Sequence, residues 1–202
     1  MARNREPVPF SAVVEGMTDE AVLRRLITEH GGRLDRVYGR LGKVHIRQKL
    51  HGFKAIGRFQ PCVILVDLDR ECDCAAALRA KWAIGNAPGV CFRVAVQAME
   101  AWLLADRENI ASFLSVAQSR VPRSPESLDN PKESLVSLAQ RSRRRSIREG
   151  MPPQPRSGRR VGPHYTQMIT EFIDDVWNHA AAKRRSESLS RAIDCIADLS
   201  TR

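Results

Sequence analysis

Two short runs carry the side chains best suited to chemistry. Val13-Val14-Glu15-Gly16-Met17-Thr18-Asp19 and, about fifty positions later, Val63-Ile64-Leu65-Val66-Asp67-Leu68-Asp69 are apolar stretches that stop abruptly at carboxylates. A third run, Val90 to Val96, leads through Gln97-Ala98-Met99 to Glu100. Buried parallel strands read as continuous apolar runs and hold function just beyond their carboxyl ends. Carboxylates gathered there without a basic residue among them repel one another, which is the usual setting for a divalent cation. The chemistry such a cluster supports is metal-assisted phosphoryl transfer. Asp67 and Asp69, two apart, are expected on one side of an extended strand end. Each acid also has a plain structural reading: Asp19 in the first turn of a helix, Glu71 and Asp73 near the N-terminus of another. Three strand ends closing on acids are a stronger signal than any one.

The elements that must position these acids alternate as a parallel α/β sheet requires. Strands are expected at 10–16, 34–38, 62–67 and 90–96. Helices are expected between them: one capped by Thr18 and ending at Gly31-Gly32, one from Val44 to Ile56, and one from Ala75 to Ile84. Beyond about Glu100 the strands stop. Apolar stripes around Trp102, Ile110 and Leu135 read as helices, and Pro163 to Trp177 and Leu189 to Leu199 as two closing ones. The chain thus divides into an α/β domain, 8–106, and a helical, arginine-rich extension, 107–202.

With those elements in place, the motifs resemble the TOPRIM domain shared by bacterial primases, topoisomerases and the overcoming-lysogenization-defect (OLD) type nucleases. The resemblance covers roughly residues 10–105 and rests on Glu15-Gly16-x-Thr18-Asp19 before an amphipathic helix and on Asp67-x-Asp69 at a later strand end. The spacing of Glu15 and Asp19 is closest to the OLD-type nucleases. The stretch Gln97 to Asp106, with Val161-Gly162-Pro163-His164-Tyr165 and Ser188-Leu189-Ser190-Arg191-Ala192, is similar to small stand-alone TOPRIM-like proteins of unknown function, often encoded beside an ATPase in bacterial defence operons. The resemblance implies a mostly parallel central sheet flanked by helices. It also implies a divalent-metal-dependent nuclease, acting on DNA in a phage-defence module with a separately encoded ATPase. Asp67 and Asp69 would ligate Mg²⁺ or Mn²⁺, Glu15 would ligate metal or act as general base, Asp19 would complete a second site, and Glu100 would add a ligand or orient water. The basic residue some of these nucleases use has no clear counterpart; Lys43, Lys54 and Lys132 are the candidates. A topoisomerase is excluded, since this length has no room for a strand-gating body around Tyr38 or Tyr165. A haloacid-dehalogenase phosphatase carries its paired aspartates on its first strand, whereas here they close a later one.

Charge points the same way. A formal +10 and a pI near 10.0 suit a polyanion or an acidic protein. Arg141, Arg143, Arg144, Arg145, Arg148, Arg156, Arg159 and Arg160 concentrate that charge in a segment expected to be exposed and mobile. Arginine forks suit phosphates, giving affinity without sequence readout. Few aromatics interleave this segment, so base stacking is not expected of it. The five cysteines, Cys62, Cys72, Cys74, Cys91 and Cys195, are odd in number and argue against a disulfide framework; Cys62 and Cys91 read as small core residues. With no secretory leader and no membrane-length apolar run, a cytoplasmic protein is expected, free of membrane and open to homo-oligomerisation. Two other functions stay open: a non-catalytic interaction subunit that docks a partner through its basic arm, and a TOPRIM enzyme that processes RNA.

Overall fold

The computed structural model describes residues 6–85 and 87–201. Their elements run β1 (Val8–Val14), α1 (Met17–Glu29), β2 (Gly32–Gly39), α2 (Gly42–Ile56), β3 (Cys62–Asp67), α3 (Ala75–Lys81), β4 (Val90–Ala95), α4 (Glu100–Ala105), α5 (Arg107–Leu114), α6 (Pro131–Gln140), α7 (Arg145–Gly150), α8 (Tyr165–Glu171), α9 (His179–Ala182) and α10 (Glu187–Ser200). The strands among the described residues form an all-parallel, helix-flanked sheet in the order β2-β1-β3-β4, the α/β class that the alternation predicts. Two compact units result: residues 6–66, 76–94 and 191–201 form one, residues 67–75 and 95–190 the other.

In the first unit, the central strands are the most apolar because both their faces are covered. Phe10, Ala12, Val13 and Val14 of β1 and Cys62, Val63 and Ile64 of β3 are fully buried. β1 pairs with β2 from Val8↔Gly32 to Val14↔Gly39, with a register shift after Phe10, and with β3 from Ser11↔Cys62 to Val13↔Ile64. Gly39 closes β2 at φ +90°, where a Cβ would lie 2.3 Å from the Val14 carbonyl oxygen, so only glycine fits against β1. The start of α1 differs from expectation. Gly16, not Thr18, is the N-cap, because the Asp19 carboxylate accepts the Gly16 N–H at 2.8 Å. Val22, Leu23, Leu26 and Ile27 then form the stripe that α1 buries.

The cysteine expectation needs correcting as well. Cys91 on β4 and Cys195 on α10 form a disulfide, with Cα atoms 6.1 Å apart across 104 positions of sequence. A count of cysteines cannot register that pairing, because it depends on the last helix returning to β4. Cys62 is the buried thiol that the strand pattern predicts, and burial pushes its pKa up to about 12.

In the second unit, α4 is buried along its whole length, with Trp102, Leu103, Leu104 and Ala105 fully enclosed. The Trp102 indole N–H donates to Ser188 Oγ at 2.7 Å. Ser188 is held in turn by Glu126, whose carboxylate also accepts the Ser186 hydroxyl at 2.7 Å and the backbone N–H groups of Glu187 and Ser188 at 3.1 and 3.0 Å. That carboxylate caps the first turn of α10 from elsewhere in the chain. The helix expected from Pro163 to Trp177 is instead α8 followed by a π-helical turn, Phe172–Val176, which buries Phe172 and Ile173. No described helix is long and apolar enough to cross a membrane.

Candidate functional site

Glu100 is the most deeply buried of the predicted acids, 1 % exposed at the first position of α4. A lone carboxylate at that depth is costly unless it is paired and hydrogen-bonded. Two elements of the same unit answer it. Lys132, in the first turn of α6, brings its Nζ to 3.2 Å from Glu100 Oε1. Tyr165, the first residue of α8, donates its hydroxyl to the same oxygen at 3.0 Å. α6 starts where it does because Pro131 suits the first helical position and the Asn130 side chain accepts the Glu133 N–H at 3.1 Å. Three helix starts therefore converge on one carboxylate, and Glu100 lies in the first turn of its own helix, where negative charge is favoured.

Asp67 belongs to the same neighbourhood. It is the last residue of β3, half-buried, and its Oδ1 accepts the Met99 N–H at 2.8 Å, one residue before Glu100. Tyr165 registers both acids. Burial foremost, then the charge of Glu100, the hydrogen bond to it and the charge of Asp67 hold the phenol well above its ordinary range. The cluster thus brings together the side chains of Asp67, Glu100, Lys132 and Tyr165.

Asp69 follows, but not on the strand. Leu68 N–H bonds to Ala95 O at 2.9 Å and Asp69 N–H to Gln97 O at 2.8 Å, extending the β3–β4 pairing. The backbone then turns through two left-handed residues, Asp69 at φ +51° and Arg70 at φ +63°. Asp69 is exposed in this turn while Leu68 is buried, so the period-two argument for the pair ends at Asp67. Consecutive non-glycine residues in this region are sterically costly, a feature common at functional turns.

Glu15 and Asp19 belong to the first unit. Glu15 follows β1 and is half-buried, and its carbonyl accepts the Gly42 N–H at 3.2 Å. Asp19, 8 % exposed, spends one carboxylate oxygen on Gly16. Its neighbour Glu20 pairs with both Arg24 and Arg40, an acid the sequence pattern does not single out.

The donors present suit a hard cation by type. Among the described residues no group of three or more His, Cys, Asp or Glu side chains converges to enclose a metal ion. Mg²⁺, however, commonly takes one or two protein carboxylates and fills its remaining positions with water and substrate phosphate. Asp67 and Asp69 are donors of that type two positions apart in the chain, and Lys132 pairs with Glu100.

The arginine segment is exposed as expected but is not unstructured. Arg145–Gly150 forms α7, anchored by buried Ile147 and Met151. Gly162 N–H bonds to Met151 O at 2.7 Å and His164 N–H to Gly150 O at 3.0 Å, tying off the loop between them. Its return limb leads directly into Tyr165. Arg141, Arg143, Arg144, Arg145, Arg148, Arg156, Arg159 and Arg160 are all exposed. Of these, Arg145 pairs with Glu149 at 2.8 Å and Arg148 donates to Ser142 O at 2.7 Å.

Of the candidate lysines, Lys132 is the one that pairs with Glu100. Lys54 instead donates to Ile84 O in the first unit. The sequence gives no sign that Tyr165 serves Glu100, because that partner lies 65 positions away and the local context is an ordinary helix start.

Comparison with known proteins supplies a family. A family model described as a domain of unknown function, DUF4276, matches residues 14–174, and the chain belongs to that family. The match spans the cluster from Asp67 through Glu100 and Lys132 to Tyr165. No curated protein and no solved structure matches the chain significantly.

Proposed function

We propose that this DUF4276 protein is a divalent-metal-dependent phosphodiester hydrolase acting on nucleic acid, with Asp67 at its centre. The observation that carries the reading is the cluster in which Asp67 and buried Glu100 both act on Tyr165, with Glu100 paired to Lys132 and Asp67 bound to the Met99 amide. A perturbed phenol held beside carboxylates at a strand end is a mark of functional sites.

In this reading Asp67 and Asp69 hold Mg²⁺ or Mn²⁺. The bound ion would activate water and neutralise charge on the phosphate oxygens. The remaining roles belong to the chain's own groups. Lys132, 44 % exposed at its side chain, reaches solvent while its ammonium stays fixed by Glu100, so it can meet a phosphate oxygen. Tyr165 stays protonated and holds the Glu100 carboxylate in place. The exposed arginines of the loop returning to Tyr165 supply sequence-independent phosphate contacts. The TOPRIM-like motifs favour DNA as substrate and a separately encoded ATPase as partner; an RNA substrate is the variant of the same chemistry.

One observation favours a second reading, a non-catalytic subunit that docks a partner through its basic loop. Lys132 balances Glu100, so this acid has structural employment without a metal. Manganese uptake followed by electron paramagnetic resonance separates the two. The hydrolase reading predicts bound Mn²⁺ in the wild type and its loss in Asp67→Ala with the fold retained. Equal uptake by both proteins, or none by either, would refute it. Matched labelled DNA and RNA strands in Mn²⁺ then decide the substrate.

A further inference from the structure

The longest acid-free stretch among the described residues belongs to the first unit and is no part of that cluster. From Arg36 to Val66 there is no aspartate or glutamate, while Arg36, Arg40, Lys43, Arg47, Lys49, Lys54 and Arg58 bring seven positive charges, of which Arg40 is answered by Glu20. Much of this charge is on α2, a helix with no acid of its own. A helix of this composition is not built for intrahelical ion pairs, which need both signs at i,i+4 spacing. Its net charge favours a negative partner.

Beside that charge runs an open groove of about 530 Å³, lined by Tyr38 of the edge strand β2 and by His45, Gln48, Lys49, Gly52, Phe53 and Ile56 of α2. The lining residues recur every three or four positions, so they form one continuous stripe along the helix. Three of them are flat rings held close together. Tyr38 and Phe53 have centroids 6.1 Å apart, and His45 and Phe53 6.3 Å apart. All three are partly exposed, not sealed in the core.

Gly52 is the telling residue. It sits inside α2, where glycine costs about 1 kcal/mol relative to alanine. Nothing requires it: a Cβ there would meet no atom within 4 Å. Its absence of side chain keeps the floor of the groove clear. Unusually exposed apolar side chains lie in and beside the helix in sequence, Val44 within it at 70 % and Leu41 and Phe59 flanking it at 72 % and 88 %.

Rings, cations and an open floor on one face are the components of a single-strand nucleic-acid platform, where bases stack on aromatics and phosphates track the charge. An acidic peptide would use the cations and leave the partly exposed rings unexplained. A duplex keeps its bases paired and would gain nothing from the groove. We infer that the groove between Tyr38 and α2 binds single-stranded nucleic acid, with bases against Tyr38, His45 and Phe53 and phosphates on Lys49 and the neighbouring cations. This site lies apart in sequence from the acidic cluster and from the arginine loop, and the inference does not rest on hydrolysis.

The test is fluorescence anisotropy in EDTA, so that no cleavage is needed. The probes are a labelled fifteen-nucleotide oligothymidylate, its duplex with oligodeoxyadenylate, and an unlabelled poly-glutamate competitor. The proteins are wild type, Tyr38→Ala and Gly52→Leu, the last of which fills the groove, removes no charge and favours the helix. Circular dichroism checks that each folds. The expected result is tighter binding of the single strand than of the duplex. Both variants should weaken single-strand binding about tenfold or more, the scale of losing one stacked base. Duplex affinity should change far less. Single-strand affinity unchanged in folded Gly52→Leu would overturn the assignment, as would no binding by the wild type. Displacement by poly-glutamate with Tyr38→Ala unaffected would make the occupant an acidic protein. A groove variant that altered only sedimentation behaviour would make it a second copy of this chain. Either of these outcomes also refutes the inference.

Discussion

Tyr165 and Cys62 show how burial sets the behaviour of single groups. The Tyr165 hydroxyl is one of two donors to an enclosed carboxylate, so Tyr165→Phe leaves Glu100 short of a partner without opening a cavity. Urea denaturation should show a loss of about 1–3 kcal/mol. A loss near zero would mean that water replaces the hydroxyl and that the cluster is wetter than its geometry implies. Cys62 gives a pH prediction with a definite sign. Its thiol is held neutral in the fold, up to about 12, against an unfolded value near 9.0. The folded state therefore keeps its proton longer than the unfolded one. Any contribution to stability is intact below about pH 9 and is lost as pH rises from 9 towards 12. At pH 8 an alkylating reagent should label Cys72 and exposed Cys74 while sparing Cys62 in the native protein. Rapid labelling of Cys62 would contradict its placement in β3.

Elements are legible in the sequence where the local pattern alone determines them. The bounds of β3, Cys62–Asp67, follow from an apolar run opened by Pro61 and closed by charge. The start of α1 is not legible, because Thr18 is a good N-cap by type and the winning interaction is the Asp19 carboxylate on the Gly16 amide. The Asp67-Leu68-Asp69 motif stands out in the sequence, but its geometry does not, since sequence does not reveal left-handed turns at Asp69 and Arg70. That Lys132 and Tyr165 meet on Glu100 is hidden for a different reason: tertiary packing brings them together. Two glycines turn these points into a comparison. Gly39→Ala should collapse the β1–β2 pair, since its Cβ meets the Val14 carbonyl and φ is +90°. Gly52→Ala should instead raise stability by about 0.5–1 kcal/mol, because it adds helix propensity in open space. Thermal melts of the pair would check both. Equal effects would mean the backbone at Gly39 can relax. Trp102→Ala should cost about 3–5 kcal/mol, as it empties the core of α4 and removes the indole donor to Ser188.

At the scale of the molecule, the surplus of ten positive charges is the property that composition announces most plainly. The structure adds where two concentrations of it lie: the exposed loop around α7 in one unit and α2 in the other. Arg144→Ala with Arg145→Ala should lower the steepness with which binding to DNA falls with salt, in proportion to the number of phosphates those two side chains neutralise. An unchanged slope would exclude both arginines from the interface. The Cys91–Cys195 link closes a long span of chain, so reduction should cost about 2–4 kcal/mol, and non-reducing peptide mapping should recover the two cysteines in one linked fragment.

The central claim is that Asp67 anchors a metal-dependent phosphodiester hydrolase. Nicking of supercoiled plasmid in Mg²⁺ and Mn²⁺, wild type beside Asp67→Ala, tests it most directly. The account predicts metal-dependent relaxation of the plasmid by the wild type and none by the folded variant. Equal cleavage by both proteins, or persistent absence of cleavage by the wild type on DNA and RNA alike, would contradict it.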